Sequence, residues 1–193
     1  MKFQLDYVLD FPKPQDALDA LKRLPIEMES AHFEIMEKIE KAKWKPTALK
    51  ALSWIFLARR LLSIDELREA ISIRPSRHTQ LSPKLFVHPD ALVRYCQGPI
   101  GVDEQNNVVC FTHYTVQEFL RAKYRDKMMS NIDIAKVCLT YLNFDVFERR
   151  SSKDEKTLIA RVNGHKFLEY AFVYWGDHIK RGIQNDEELV RLQ

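Results

Sequence analysis

The stretch Val108–Leu120, VVCFTHYTVQEFL, decides the fold. Its opening residues, Val108 to Thr112, are β-branched or aromatic around one cysteine and read as a strand. A helix follows within two residues of His113, because Thr115 and Glu118 stand at the spacing of a capping box, in which two side chains reciprocally satisfy free backbone N–H groups at a helix start. His113 therefore lies at a strand-to-helix junction. Helix N-termini favour anions, and a histidine beside one can donate a hydrogen bond to a phosphate. The other reading of the same residue is a structural histidine tying the strand to the helix.

Upstream of this stretch the order is helix, helix, helix, hairpin. Pro46 opens a helix whose apolar positions Leu49, Leu52, Ile55 and Phe56 recur at helical spacing, with Trp54 on its flank. Ser63 with Glu66 caps a helix through Ile73, and Pro89 starts a short helix through Tyr95 that ends at Gly98 and Pro99. Arg74 to Phe86, with two prolines, reads as a loop. Pro99–Val102 and Val108–Thr112 are short β patterns around the polar turn Asp103–Asn107, which together predict a hairpin. At the front of the chain, Gln15–Leu24 and Ile26–Lys43 are separated by Pro25, and a helical hairpin is expected there. Downstream, Ser130–Asn143 leaves almost no polar face and predicts a helix buried all round, Leu139 included. The run Glu148–Lys156, ERRSSKDEK, is the expected loop between subdomains, ahead of a helix from about Lys166 to Lys180 rich in aromatic residues.

With 46% hydrophobic residues in 193, the chain can bury a sizeable core of one or two domains. Thirty Lys and Arg against 27 Asp and Glu leave a formal charge of +3, too little to imply a polyanionic partner. Cys96, Cys110 and Cys138 are widely spaced, form no Cys-x-x-Cys, and fit reduced thiols. The N-terminal MKFQLDYVLDF carries acids within its apolar stretch, and no apolar run approaches the roughly 18 residues of a membrane span. A cytoplasmic protein with no membrane contact is the expectation.

Together with ALKALSWIFLARRLLSIDELREAI (Ala48–Ile71) and IAKVCLTYLNFDVF (Ile134–Phe147), the His113 stretch resembles the winged-helix module that follows the NACHT nucleotide-binding domain in fungal STAND, or NLR-like, proteins, also described as the GPI inositol-deacylase winged-helix domain. The resemblance is strong over residues 46–147 and weaker outside. It implies a mostly α chain: a winged helix with a small β-hairpin at 44–127, preceded by the C-terminal helical segment of a NACHT-like module at 1–43 and followed by a helical region at 128–193. It implies too that His113, with Phe111, Gln117, Glu118 and Phe119 matching the motif around it, contacts the β-phosphate of ADP held by a NACHT partner domain. The implied role is non-catalytic, a regulatory and interdomain-packing module of a signalling ATPase in fungal non-self recognition or programmed cell death, often followed by ankyrin or other repeats.

Other residues bear on these implications. The five glycines, Gly98, Gly101, Gly164, Gly176 and Gly182, form no P-loop, so the chain by itself is expected to hold no cofactor, with ADP or ATP entering only if it is joined to a NACHT domain in cis or in trans. It reads as a piece of a larger protein, or as the product of a gene whose ATPase half lies elsewhere. No metal site and no catalytic residue are expected; a Gly-x-Ser-x-Gly nucleophile elbow is absent. A DNA-binding winged helix would present cations on its third helix and wing, whereas His88–Gly98 offers Arg94 and Gln97 against Asp90, and the wing carries Asp103 and Glu104. No nucleic-acid partner is therefore expected. A stand-alone protein-interaction scaffold is the alternative to the regulator. Arg59 and Arg60, and Arg121, Lys123, Arg125 and Lys127, read as solvated charge at helix ends.

Overall fold

The computed structural model describes residues 14–75, 80–148 and 163–191. A long helix α1 (Pro14–Lys41) leads into α2 (Lys45–Leu57), then a two-residue strand β1 (Leu62–Ser63), α3 (Ile64–Ser72) and α4 (Pro89–Tyr95). The wing is β2 (Ile100–Asp103) and β3 (Val108–Phe111), followed by α5 (Tyr114–Phe119). After a single wide π turn at Leu120–Tyr124 come α6 (Asn131–Leu142), the short α7 (Asp145–Glu148) and the long α8 (Leu168–Arg191). The architecture is mostly α, a winged helix with a small antiparallel sheet, as the sequence predicts.

Local chemistry sets most of these boundaries. Pro46 occupies the first turn of α2, where a missing N–H costs nothing. The capping box at α3 is complete: Ser63 Oγ accepts from the Glu66 amide at 3.1 Å, and Glu66 Oε2 accepts from the Ser63 amide at 2.7 Å. A second box, Ser130 with Asp133, starts α6. At the hairpin tip Asn107 takes a positive φ of 52°, and Asp103 Oδ1 accepts from the amides of Gln105 and Asn106.

The sheet holds one strand that periodicity does not predict. Its order is β1-β3-β2, all antiparallel, with Leu62 opposite Val109 and Ser63 opposite Val108. On the other side Ile100 faces Phe111 and Val102 faces Val109. Two residues in a linker are too few to show alternation, so β1 is visible only once its distant partner is in place.

One apolar core runs through the described residues, from Met36 and Ile39 of α1 through Ala48, Leu52 and Trp54 of α2 to Tyr141, Phe144, Phe167 and Tyr170. At its centre the Trp54 ring meets Phe167 edge-on at 5.2 Å and Tyr170 at 5.9 Å. α8 lies along α6, and Gly182 is buried there because a Cβ at that position would fall on the Ile132 side chain.

Several expectations are corrected. The N-terminal helical hairpin is instead one continuous 28-residue helix that passes through position 25. A proline forfeits one hydrogen bond, and an otherwise unbroken helical pattern on both sides carries the helix past it. Helix α6 is not buried all round: α8 covers one side, while Lys136 and Leu139 share an exposed stripe, Leu139 being 40% exposed. Leu139→Ala is accordingly expected to cost about 1 to 2 kcal/mol in a denaturant titration, less than at a fully buried leucine, since part of the side chain is already in water; a loss of about 3 kcal/mol or more would place Leu139 in the core. Arg59 and Arg60 are not solvated ends, as described below. Residues 149–156 of the expected subdomain loop lie outside the described residues, as do residues 1–13.

Candidate functional site

Strand β3 ends at Phe111, and the chain turns into α5 through Thr112 and His113. Thr112 fixes this corner to the start of the wing: its amide donates to the Pro99 carbonyl at 3.0 Å and its hydroxyl to the Gly98 carbonyl at 3.1 Å. His113 then adopts an extended backbone, φ −148° and ψ 147°, and is itself the N-cap of α5. The expected Thr115–Glu118 box therefore does not form. The helix starts at Tyr114, two residues before the Val116 start that a Thr115 cap would need, and the imidazole takes the capping role.

The bonds around His113 assign its protons. The Thr115 amide donates to His113 Nδ1 at 3.3 Å, so that nitrogen carries a lone pair. Thr115 Oγ1 lies 2.8 Å from the same nitrogen, and its hydroxyl donates there too. A neutral imidazole accepting at Nδ1 holds its proton on Nε2. Nε2 takes no hydrogen bond among the described residues, the ring is half-buried, and the neighbouring Tyr114 is exposed. The corner thus holds one N–H donor that has no partner among the described residues, beside a helix start.

Helix α5 is clamped from the N-terminal side. His32 Nε2 lies 3.0 Å from Thr115 Oγ1, and the Phe119 ring packs against His32 at 5.4 Å and edge-on against Phe33 at 4.9 Å. Lys123 pairs with Glu29 at 3.1 Å and Lys127 with Glu40 at 3.1 Å, both exposed pairs of small individual worth. Arg125 donates to the Met129 carbonyl at 2.9 Å, and Arg121 lies over the Phe56 ring. The cations after His113, read as solvated charge, mostly tie this segment to α1 and α2. Gln117 and Glu118, which match the family motif, make no side-chain hydrogen bond among the described residues.

Two further polar clusters went unnoticed in the sequence. Glu69 is buried, and its carboxylate accepts from the Tyr141 hydroxyl at 2.6 Å and from the amides of Lys166 and Phe167, each at 3.0 Å. An acid from α3 thus binds the backbone just ahead of α8, where the helix dipole favours negative charge. Burial first, and then the same carboxylate, push the Tyr141 hydroxyl far above its usual range. In the second cluster the Arg59 amide donates to Tyr170 Oη at 3.0 Å, whose hydroxyl lies 2.8 Å from His178 Nε2; His178 Nδ1 lies 2.9 Å from Asn131 Oδ1. Asn131 Oδ1 can only accept, so the proton of the neutral ring is on Nδ1 and Tyr170 donates to Nε2. Burial pulls the His178 pKa down to about 4. Arg59 also pairs with Asp177, and Arg60 forks onto Glu66 at 2.9 and 2.6 Å.

His178 repeats Tyr170 and Tyr174 at steps of four along α8, so a histidine in register with an aromatic stripe was the signal for it. Glu69 gives none, because its partners lie 72 to 98 residues away.

Among the described residues no group of three or more His, Cys, Asp or Glu could hold a metal ion, and no helix is long and apolar enough to cross a membrane. A family model described as "GPI inositol-deacylase, winged helix domain" matches residues 34–135, just over half of the chain. No curated protein and no solved structure matches it.

Proposed function

The chain belongs to the GPI inositol-deacylase winged-helix family, and from that membership we propose that it is a non-catalytic regulatory and interdomain-packing module of a cytoplasmic NACHT-type STAND signalling ATPase, with His113 as the contact to the phosphates of bound ADP. The observation that carries this reading is the geometry of His113: the Thr115 amide and hydroxyl engage its Nδ1, and its Nε2 makes no hydrogen bond among the described residues, at a helix start. A donor already aimed loses little entropy when it meets an anion, and the bond exists only while the winged helix is docked on the nucleotide domain. That difference between states is what lets one side chain bias an equilibrium. In this reading the nucleotide is held by the partner NACHT domain, in cis or in trans, and residues 1–43 are the end of that module.

The test is His113→Ala in a chain carrying its NACHT half. One hydrogen bond to a charged group is worth roughly 1.5 to 3 kcal/mol, so ADP retention and the closed population are expected to fall about ten- to hundredfold. Folding survives, because the helix keeps its packing through Val116 and Phe119. If the variant instead unfolds, with nucleotide content per folded molecule unchanged, His113 is a structural histidine. The scaffold reading draws on a different observation, the exposure of Phe172, Val173 and Ile183 along α8; it gains if His113→Ala changes neither retention nor stability.

A further inference from the structure

Two histidines from distant parts of the chain share one hydroxyl. His32 Nε2 lies 3.0 Å from Thr115 Oγ1, which lies 2.8 Å from His113 Nδ1. A threonine hydroxyl has one proton to give and lone pairs to receive. Because the Thr115 amide already donates to His113 Nδ1, that nitrogen is an acceptor, and the hydroxyl proton is directed at it. The oxygen is then left to accept from His32 Nε2–H. The two bonds through the hydroxyl run in one direction, from α1 to the corner, and the amide bond ends on the same nitrogen.

We propose that His32 is a positioning residue for His113: by donating to Thr115 Oγ1 it turns the Thr115 hydroxyl proton onto His113 Nδ1, and so holds the His113 proton on Nε2. The consequence for ADP rests on the proposed role of His113, but the relay itself does not. Without His32 the Thr115 hydroxyl is free to rotate, and only the longer 3.3 Å bond from the Thr115 amide is left to hold the imidazole proton on Nε2, so the two tautomers mix. Burial and the neighbouring His113 both lower the pKa of His32.

The relay also makes the corner responsive to α1. His32 packs on Phe119 of α5, whose ring its neighbour Phe33 also meets, and is flanked by the Glu29–Lys123 and Glu40–Lys127 pairs. A hydrogen bond of 3.0 Å has little reach to spare, since at 3.6 Å it no longer counts as one. Sliding α1 along α5 by a fraction of a helical turn therefore disconnects His113 before it breaks the apolar contacts.

The experiment reads the imidazole nitrogen resonances of His113 by NMR in the isotope-labelled 193-residue chain. In the native chain a protonated Nε2 and an unprotonated Nδ1 are expected as two well-separated signals. In His32→Ala the two move toward each other as the tautomers mix, and in Thr115→Val they move further. His32→Gln, which keeps an N–H donor, and Thr115→Ser, which keeps the hydroxyl, restore the separation. A role limited to packing would not distinguish glutamine from alanine in this way. Unchanged His113 signals in folded His32→Ala overturn the relay. Should Thr115→Val fail to fold, the alanine and glutamine variants of His32 decide the question alone. If the signals respond as expected while His113→Ala leaves ADP retention intact in the NACHT-bearing chain, the relay stands and the phosphate contact falls; the reverse pattern removes the relay only.

Discussion

Replacing Glu69 by alanine is expected to lower the unfolding free energy by about 3 to 5 kcal/mol at neutral pH. The side chain is 4% exposed and receives three donors, the Tyr141 hydroxyl and the amides of Lys166 and Phe167. Hydrogen bonds to a charged group are worth roughly 1.5 to 3 kcal/mol each, and a buried donor left without a partner adds its own desolvation cost, so the total reaches the upper part of the range of core truncations. Glu69→Gln is no mimic, because its amide group sets a donor against donors, and an intermediate loss is expected. Denaturant midpoints for both variants check this; a loss below about 1 kcal/mol for alanine would show that water replaces the carboxylate without penalty. The damage is also expected to be local in origin, with hydrogen exchange rising first at the start of α8.

Acid is expected to destabilise the protein through His178, by about 3 kcal/mol between pH 6.5 and 4. The folded ring has its pKa lowered from 6.5 to about 4, chiefly by burial, with Asp177 opposing and Arg59 and Arg181 assisting the shift. A depressed histidine binds its proton more readily in the unfolded chain, so its contribution is fully present above pH 6.5 and is lost as pH falls toward 4, at about 1.4 kcal/mol per unit of pKa difference. Below that point the folded ring is charged too, and His178 causes no further loss. Protonation at Nε2 would also set a donor against the Tyr170 hydroxyl, which must then turn away. His178→Gln should flatten the pH dependence of the denaturant midpoint over that interval while lowering stability at neutral pH. An equally steep acid loss in His178→Gln would assign the effect to carboxylates instead.

The parts of the fold written in short-range chemistry were legible in the chain. Pro46, the Ser63–Glu66 box, Pro89 and the polar turn at Asp103–Asn107 each act within a few residues, and each marks the boundary it predicts. Their order led to the winged helix. What stayed hidden depends on neighbours far along the chain. Leu139 looks buried by composition, and only the side of α6 on which α8 lies decides that it is not. Thr115 and Glu118 have the spacing of a cap, yet His113 displaces them because Thr115 is held between two imidazoles, one of them 83 residues away. At the candidate site, the position of His113 at the junction was readable, while its tautomer and its link to His32 were not. Arg60 read as helix-end charge because its fork on Glu66 and its stacking on Tyr170 require the turn between α2 and α3 to be in place.

The pairing of β1 with β3 has a kinetic consequence. The hairpin β2–β3 and the capped start of α3 are both local and can assemble on their own within microseconds, but an isolated two-stranded hairpin is only marginally stable. Its third strand comes from Leu62 and Ser63, and joining them to Val109 and Val108 closes a long loop whose entropy must be lost before the ladder returns anything. Ser63 is at once the last rung of that ladder and the cap of α3, so the helix cannot fray at its first turn without loosening the wing, nor the wing peel away without disturbing the helix. The step that docks these two residues is where the two halves of the winged helix become one cooperative unit, and it is there that the folding barrier is expected to lie.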